Sequence, residues 1–218
     1  GLDGLCAGVT SIISLAMLLL AVHLASWGFS RSGDAVRIIS ALALTGGALG
    51  FLPLNRHPAR IFMGDAGSML LGFLVAALML LFAERFPRWC LASLMVFGLP
   101  ILDTGVALIR RRLNHRPLFV SDRGHIYDQM IERGVSLKKT VGICYALAAV
   151  FALTGLIMSQ MRTRYAVLVT ALVILISGAA VWKKGYLRMK GLRGAVQQGK
   201  SPNRGDSSEV CCSKALTG

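Results

Sequence analysis

The stretch Pro53-Leu-Asn-Arg-His-Pro-Ala-Arg-Ile-Phe-Met-Gly-Asp-Ala-Gly-Ser68 packs turn formers, Asn55, Arg56, His57, Arg60 and Asp65 into a gap between two apolar runs. A carboxylate in such a place can hold a divalent cation, because Mg²⁺ takes one or two carboxylates and fills its shell with phosphate oxygens and water. Gly64 and Gly67 let the backbone come close to a ligand, and the first amides of the next helix can meet an anion. Asp65 can equally be no more than the cap of that helix.

Three further places carry candidate chemistry. The connection from Arg110 to Lys139 contains Asp122, Arg123, His125, Tyr127 and Asp128 interleaved with apolar residues, so it is expected to fold. Arg and His beside carboxylates suit a phosphate-rich ligand. A solvated basic loop accounts for Arg110, Arg111 and Arg112 just as well, though less well for the Asp-Arg-Gly-His cluster. Asp103 lies inside an apolar run, where an ionisable residue costs at least about 2.5 kcal/mol and is a functional candidate by default. It stands seven residues before Arg110, about 10 Å at helical rise, near enough to face the same pocket as Asp65. A pair with a hydroxyl or backbone group of a neighbouring helix is the structural alternative. Asp3, in Gly1-Leu-Asp-Gly-Leu5, is weak by itself and easily a cap.

These groups need a frame, and composition says which. Of 218 residues, 55% are hydrophobic and 16% charged, yet the formal net charge is +14. Soluble domains are about a quarter charged. Nucleic-acid-binding proteins display their charge on a hydrophilic face, whereas here it sits between apolar runs, so no nucleic-acid partner is expected. Six runs read as spans: Cys6 to Trp27, Val36 to Leu54, Gly67 to Ala83, Trp89 to Ile109, Thr140 to Met158 and Tyr165 to Trp182. Each covers roughly 25–33 Å as a helix, enough for a bilayer core. Lipid leaves no partner for an open strand or loop, and no run alternates like a barrel strand, so the expected fold is an all-α polytopic bundle of six transmembrane helices.

Trp27, Trp89 and Trp182 fall at span ends as an interfacial belt would. His23 is read as interfacial, without a role. Of the 24 Lys and Arg, eighteen fall in the connections that hold Arg56, Arg110 to Lys139 and the segment after Lys183, and six in the opposite set. The positive-inside rule makes the richer side, and both termini, cytoplasmic. Residues 1–182 are taken as the membrane domain, 183–193 as a basic segment suited to an anionic leaflet, and 194–218 as a disordered cytoplasmic tail. Cys6, Cys90 and Cys144 read as small apolar residues within spans, with no metal-ligand spacing. All candidate sites share the cytoplasmic side, which favours an enzyme joining a soluble donor to a lipid acceptor over a transporter with polar groups at the midplane.

Phe51-Leu-Pro-Leu-Asn-Arg-His-Pro-Ala-Arg-Ile-Phe-Met-Gly-Asp-Ala-Gly-Ser68 resembles, nearly residue for residue, the signature of the polyprenyl-phosphate N-acetylhexosamine-1-phosphate transferases. Gly1-Leu-Asp-Gly-Leu5 resembles the end of their Asp-Gly-(Leu/Ile)-Asp-Gly-Leu motif. Pro100-Ile-Leu-Asp-Thr104 and Ser121-Asp-Arg-Gly-His125 are similar to their late Pro-x-x-Asp helix and histidine loop. The resemblance covers residues 1 to 182. It implies transfer of a sugar 1-phosphate, GlcNAc 1-phosphate for the subgroup it is most similar to, from a UDP-sugar to undecaprenyl phosphate. UMP would be released with Mg²⁺ or Mn²⁺, starting a surface polysaccharide or wall polymer at the bacterial inner (cytoplasmic) membrane.

By the same resemblance Asp65 matches the metal ligand and His125 a contact to the donor's phosphates. Asp3 and Asn55 match residues on the nucleotide side. Asp103 is a further catalytic candidate, and Arg60, Asp122, Arg123 and Asp128 are substrate-binding candidates. The family's loop continues His-x-His-His, whereas this chain reads His125-Ile-Tyr-Asp128, which counts against the phospho-MurNAc-pentapeptide branch and leaves the roles of Tyr127 and Asp128 open. Family members have more spans, so the chain is expected to be an amino-terminally truncated piece, inactive alone. Another UDP-N-acetylhexosamine, and a non-catalytic lipid-binding or transport protein on this scaffold, are the alternatives; a homodimer is left open.

Overall fold

The long apolar runs become helices because only a helix satisfies its own backbone in an apolar medium. The computed structural model describes residues 2–26, 32–83, 87–114 and 125–183. Among these there are eight helices and no strand: α1 Leu5–Ser26, α2 Ser32–Asn55, α3 Gly64–Ala83, α4 Pro87–Val96, α5 Gly98–Leu113, α6 Ile126–Glu132, α7 Leu137–Gln160 and α8 Thr163–Lys183. Five are long and apolar enough to cross a membrane, and α4 with α5 makes a sixth span if the bent pair is taken as one. The protein is an all-α, multi-pass membrane protein.

The first helix is the axis of the bundle. Ile13, Met17 and Leu20 are almost wholly buried, and α1 packs on α2, α3, α4 and α7. Ala148 and Ala152 of α7 and Ala92, Met95 and Val96 of α4 complete the core with Val75 and Phe82 of α3. At Gly155 the backbones of α4 and α7 come close: a Cβ there would lie 2.7 Å from the Ala92 carbonyl oxygen and 2.6 Å from Val96 Cγ2. By contrast α3 and α8 bury little, and Met69, Phe73, Leu80, Ile174, Leu175 and Trp182 point outward. Such apolar side chains suit lipid.

Three expectations change. The run Trp89 to Ile109 is not one straight helix; it breaks at Phe97 and bends by 71°. Pro100 has no N–H to give the Val96 carbonyl, and its ring disfavours the preceding turn. The neighbouring Ile101 N–H reaches Phe97 only at 3.4 Å. Trp89 does not point outward as a belt residue would: it is wholly buried, with His23 packed 5.7 Å from it, ring to ring. Trp182, by contrast, is exposed. The third span begins at Gly64, so Asp65 lies inside the first helical turn rather than before it.

At the α1-end of the bundle opposite the candidate residues, Arg37 donates to Asp34 at 2.6 Å and to the Leu81 carbonyl at 2.8 Å. Arg37 thereby ties the start of α2 to the last turn of α3, whose terminal carbonyls lack intrahelical donors. The basic segment 184–193, the tail 194–218, Trp27, Asp122 and Arg123 lie outside the described residues.

Candidate active site

Asn55 ends α2 and is buried. Its Oδ1 accepts from the Gly4 N–H at 3.1 Å, and its Nδ2 donates to the Ile61 carbonyl at 2.9 Å. One side chain therefore fastens two backbone segments that lie far apart in sequence. The Tyr145 hydroxyl of α7 donates to the Gly4 carbonyl at 2.6 Å from the other side. With Gly4 held, the Asp3 carboxylate meets the loop after α2: its Oδ2 lies 3.2 Å from His57 Nδ1 and accepts a long hydrogen bond of 3.4 Å from the Ala59 N–H. The cap reading of Asp3 gives way to a cross-link between the chain start and the α2–α3 connection.

Asp65 follows Gly64, which adopts a left-handed φ of +68°, a conformation any side chain with a Cβ would resist. The Asp65 side chain is exposed and makes no hydrogen bond among the described residues; only its carbonyl is used, by Ser68 Oγ at 2.9 Å. It is thus not spent as a cap. Arg60 is exposed as well, anchored through its backbone N–H to the Leu54 carbonyl. No group of three or more His, Cys, Asp or Glu side chains gathers among the described residues. A single free carboxylate fits the habit of Mg²⁺, which takes few protein ligands and completes its shell with water and phosphate oxygens. It does not fit a closed four-ligand zinc cage.

The bend at Phe97 aims α5 toward α6. Asp103 of α5 has both oxygens engaged: Oδ2 with His125 Nδ1 and Oδ1 with the Ile126 N–H, each at 2.8 Å. The hydrogen bond that the His125 imidazole gives to the Asp103 carboxylate raises its pKa above the ordinary value, against an opposing effect of burial. A cationic imidazole donates from both nitrogens, so with Nδ1 given to Asp103, Nε2 is left for a ligand. Tyr127 stacks on His125 with the planes 3° apart. Burial pushes the Tyr127 hydroxyl up to about 12. Burial likewise raises the Asp128 pKa, countered by His125, whose charge and backbone N–H both favour the carboxylate.

Two cavities open near these groups. The first, of about 320 Å³, is mostly apolar; Val9 and Ile13 of α1, Leu71 of α3 and Leu147 of α7 are among its walls, and Ser68, Asp103 and Tyr127 also line it. Asp103 was expected to face the same pocket as Asp65, but Asp65 does not line this cavity; α3 contributes Ser68, Leu71, Gly72 and Val75 to it instead. The second, of about 600 Å³, is lined by Asp3, Arg56, His57, Lys138 and Tyr145. The two use different faces of α7, with the start of α1 between them.

The sequence pointed to Asp3, Asn55, Asp65, Asp103, His125 and Asp128, and the structure sets Asp3 with Asn55's clasp and Asp103 with His125 and Asp128. It missed His57 as the partner of Asp3, although His57 stands in the same motif. It also missed Tyr145 and Lys138, for which no local signal exists, because their place depends on how α7 packs.

Residues 1–83 match the family model of glycosyl transferase family 4. The chain is 34% identical over 163 residues to the probable undecaprenyl-phosphate N-acetylglucosaminyl 1-phosphate transferase of Bacillus subtilis, covering 73% of this chain and 43% of that protein. It is 32% identical to the decaprenyl-phosphate N-acetylglucosaminephosphotransferase of Mycobacterium tuberculosis, covering 80% of this chain and 47% of the relative. It is 36% identical to a phospho-N-acetylmuramoyl-pentapeptide-transferase of Moorella thermoacetica, covering 72% and 45%. The chain spans less than half the length of these relatives.

Proposed function

This chain is a relative of the polyprenyl-phosphate N-acetylhexosamine-1-phosphate transferases, and from that premise we propose that the protein moves an N-acetylhexosamine 1-phosphate from a UDP-sugar to undecaprenyl phosphate, releasing UMP. GlcNAc 1-phosphate is the favoured group, because two of the similar proteins carry N-acetylglucosamine in their names. The observation that carries the reading is the apolar cavity of about 320 Å³ with Asp103 and Tyr127 in its wall and His125 hydrogen-bonded to Asp103. A ligand with a long apolar chain and an anionic head matches that sequence of surfaces.

In this reading the acceptor's prenyl chain enters the apolar cavity and its phosphate meets His125 Nε2. An oxygen of that phosphate attacks the donor's β-phosphorus. The bond from β-phosphorus to the bridging oxygen breaks, and its electron pair leaves with UMP. Preorganised cationic donors stabilise the charge that builds on the transferring and leaving phosphates. Asp103 favours the charged form of the imidazole and aims it. The nucleoside end of the donor lies toward Asp3, with Arg56 and Lys138 adding positive charge on that side and His57 beside Asp3. Asn55 holds this edge in place. Asp65 would hold Mg²⁺ or Mn²⁺, which supplies Lewis-acid neutralisation of phosphate charge. The face with these groups is cytoplasmic by its basic connections, at the inner membrane, where the product would start a surface polymer.

The test is UMP release by the full-length protein with UDP-GlcNAc, undecaprenyl phosphate and Mg²⁺. Asp65→Asn is expected to abolish it in a protein that still folds. Undiminished release by that variant would sink the assignment of Asp65. Metal-independent uptake into proteoliposomes with no UMP formed would replace the transferase reading by transport.

A further inference from the structure

Tyr127 is not explained by the transfer chemistry alone. Its ring lies 5.3 Å from that of His125, centroid to centroid, and 3° from parallel. Residues two apart on a helix do not normally face each other. They do here because His125 precedes α6 in an extended conformation, with φ −63° and ψ 160°. The same tyrosine lines the apolar cavity beside Ile126, Cys144 and Leu147 and packs on the main core. Like Asp103, it touches the imidazole and also lines the place assigned to the acceptor's chain, but it meets the ring by its face.

A single hydrogen bond leaves an imidazole free to swing, because the second side-chain torsion of histidine is broad. Asp103 fixes the direction of Nδ1 but not the plane of the ring. A parallel aromatic face supplies the second restraint, since aromatic pairs hold offset-stacked geometry at this separation and an aromatic face attracts a cation. We propose that Tyr127 is a positioning residue for the transfer: it holds the His125 ring plane from the wall of the apolar cavity, so that Nε2 meets the acceptor phosphate at a set depth. The role belongs to the ring, not the hydroxyl. This chain thereby uses one histidine supported by an aromatic residue. The proposal rests on the transferase reading above.

The groups that face His125 are Asp103 and Arg111 of α5 and Asp128 of α6, and the experiment leaves all three in place. In the full-length protein, Tyr127→Phe is expected to release UMP within about twofold of wild type, with the same alkaline limb in its pH profile. Tyr127→Leu is expected to lower kcat about tenfold, to leave KM for the UDP-sugar nearly unchanged, and to move the alkaline limb to lower pH. The His125 imidazole titration, followed by NMR and assigned with His125→Gln, gives a readout that needs no turnover. It should move to lower pH in Tyr127→Leu and stay put in Tyr127→Phe. Wild-type rate and titration in Tyr127→Leu would overturn the proposal, and so would an equal loss in Tyr127→Phe, which would assign the role to the hydroxyl. If wild type releases no UMP while Tyr127→Leu still shifts the titration, the stack stands and the transferase reading falls.

Discussion

Replacing Asn55 by Leu removes both ends of the clasp between the chain start and the α2–α3 connection. The Gly4 N–H is buried and has Asn55 Oδ1 as its acceptor, so leaving it unpaired costs about 1–3 kcal/mol. Ile61 is exposed, and its carbonyl can regain a water, so that half of the loss is about 0.5–1.5 kcal/mol. The two together amount to roughly 1.5–4.5 kcal/mol of local stability, which is about a 10- to 2,000-fold rise in opening. Hydrogen exchange read by mass spectrometry in detergent or nanodiscs should therefore speed up in both segments, 2–8 and 56–63, while the middle of α1 keeps its protection. Asn55→Asp sharpens the test. Ionised, it keeps an acceptor for Gly4 but turns an oxygen toward the Ile61 carbonyl. Protonated, it can donate there, so acid should restore protection to 56–63. Unchanged exchange in Asn55→Leu, or a change in one segment only, would refute the two-sided clasp.

Two further outcomes follow from the packing and from the histidine. Gly155→Ala would bring a methyl within 2.7 Å of the Ala92 carbonyl oxygen, forcing α4 from α7 at about 1–3 kcal/mol; a detergent thermal melt should show a lower Tm, and an unchanged Tm would mean that the helices part freely. Because Asp103 raises the His125 pKa, its contribution to stability is full below the ordinary histidine value and is lost as pH rises through the raised one. The stability gap between wild type and Asp103→Asn should accordingly be widest in mild acid and shrink toward alkaline pH in melts; a gap that widened with pH would reverse the sign.

The helical, membrane-spanning character was legible because apolar runs of that length admit only one backbone solution in lipid. Asn55 and Asp3 were legible as polar groups worth attention because they sit in two short stretches whose spacing is local. The break at Phe97 was half legible: Pro100 stood in the run, but a proline inside a span can kink a helix slightly or split it, and the 71° bend appears only in the folded chain. Trp89 looked interfacial by position along the chain, yet a residue near a span end can point inward, and here it does.

The sequence by itself determined which residues are apolar over a bilayer's thickness and which polar groups interrupt them, since both are properties of short stretches. Tertiary structure decided what those polar groups do. Asn55 became a clasp because α1 brings Gly4 to it, and Asp103 became the partner of His125 because a bent helix points it at α6. Asp65 kept an exposed carboxylate because no described group reaches its side chain at the start of α3. Each of these depends on contacts between residues distant in the chain, which local chemistry does not encode.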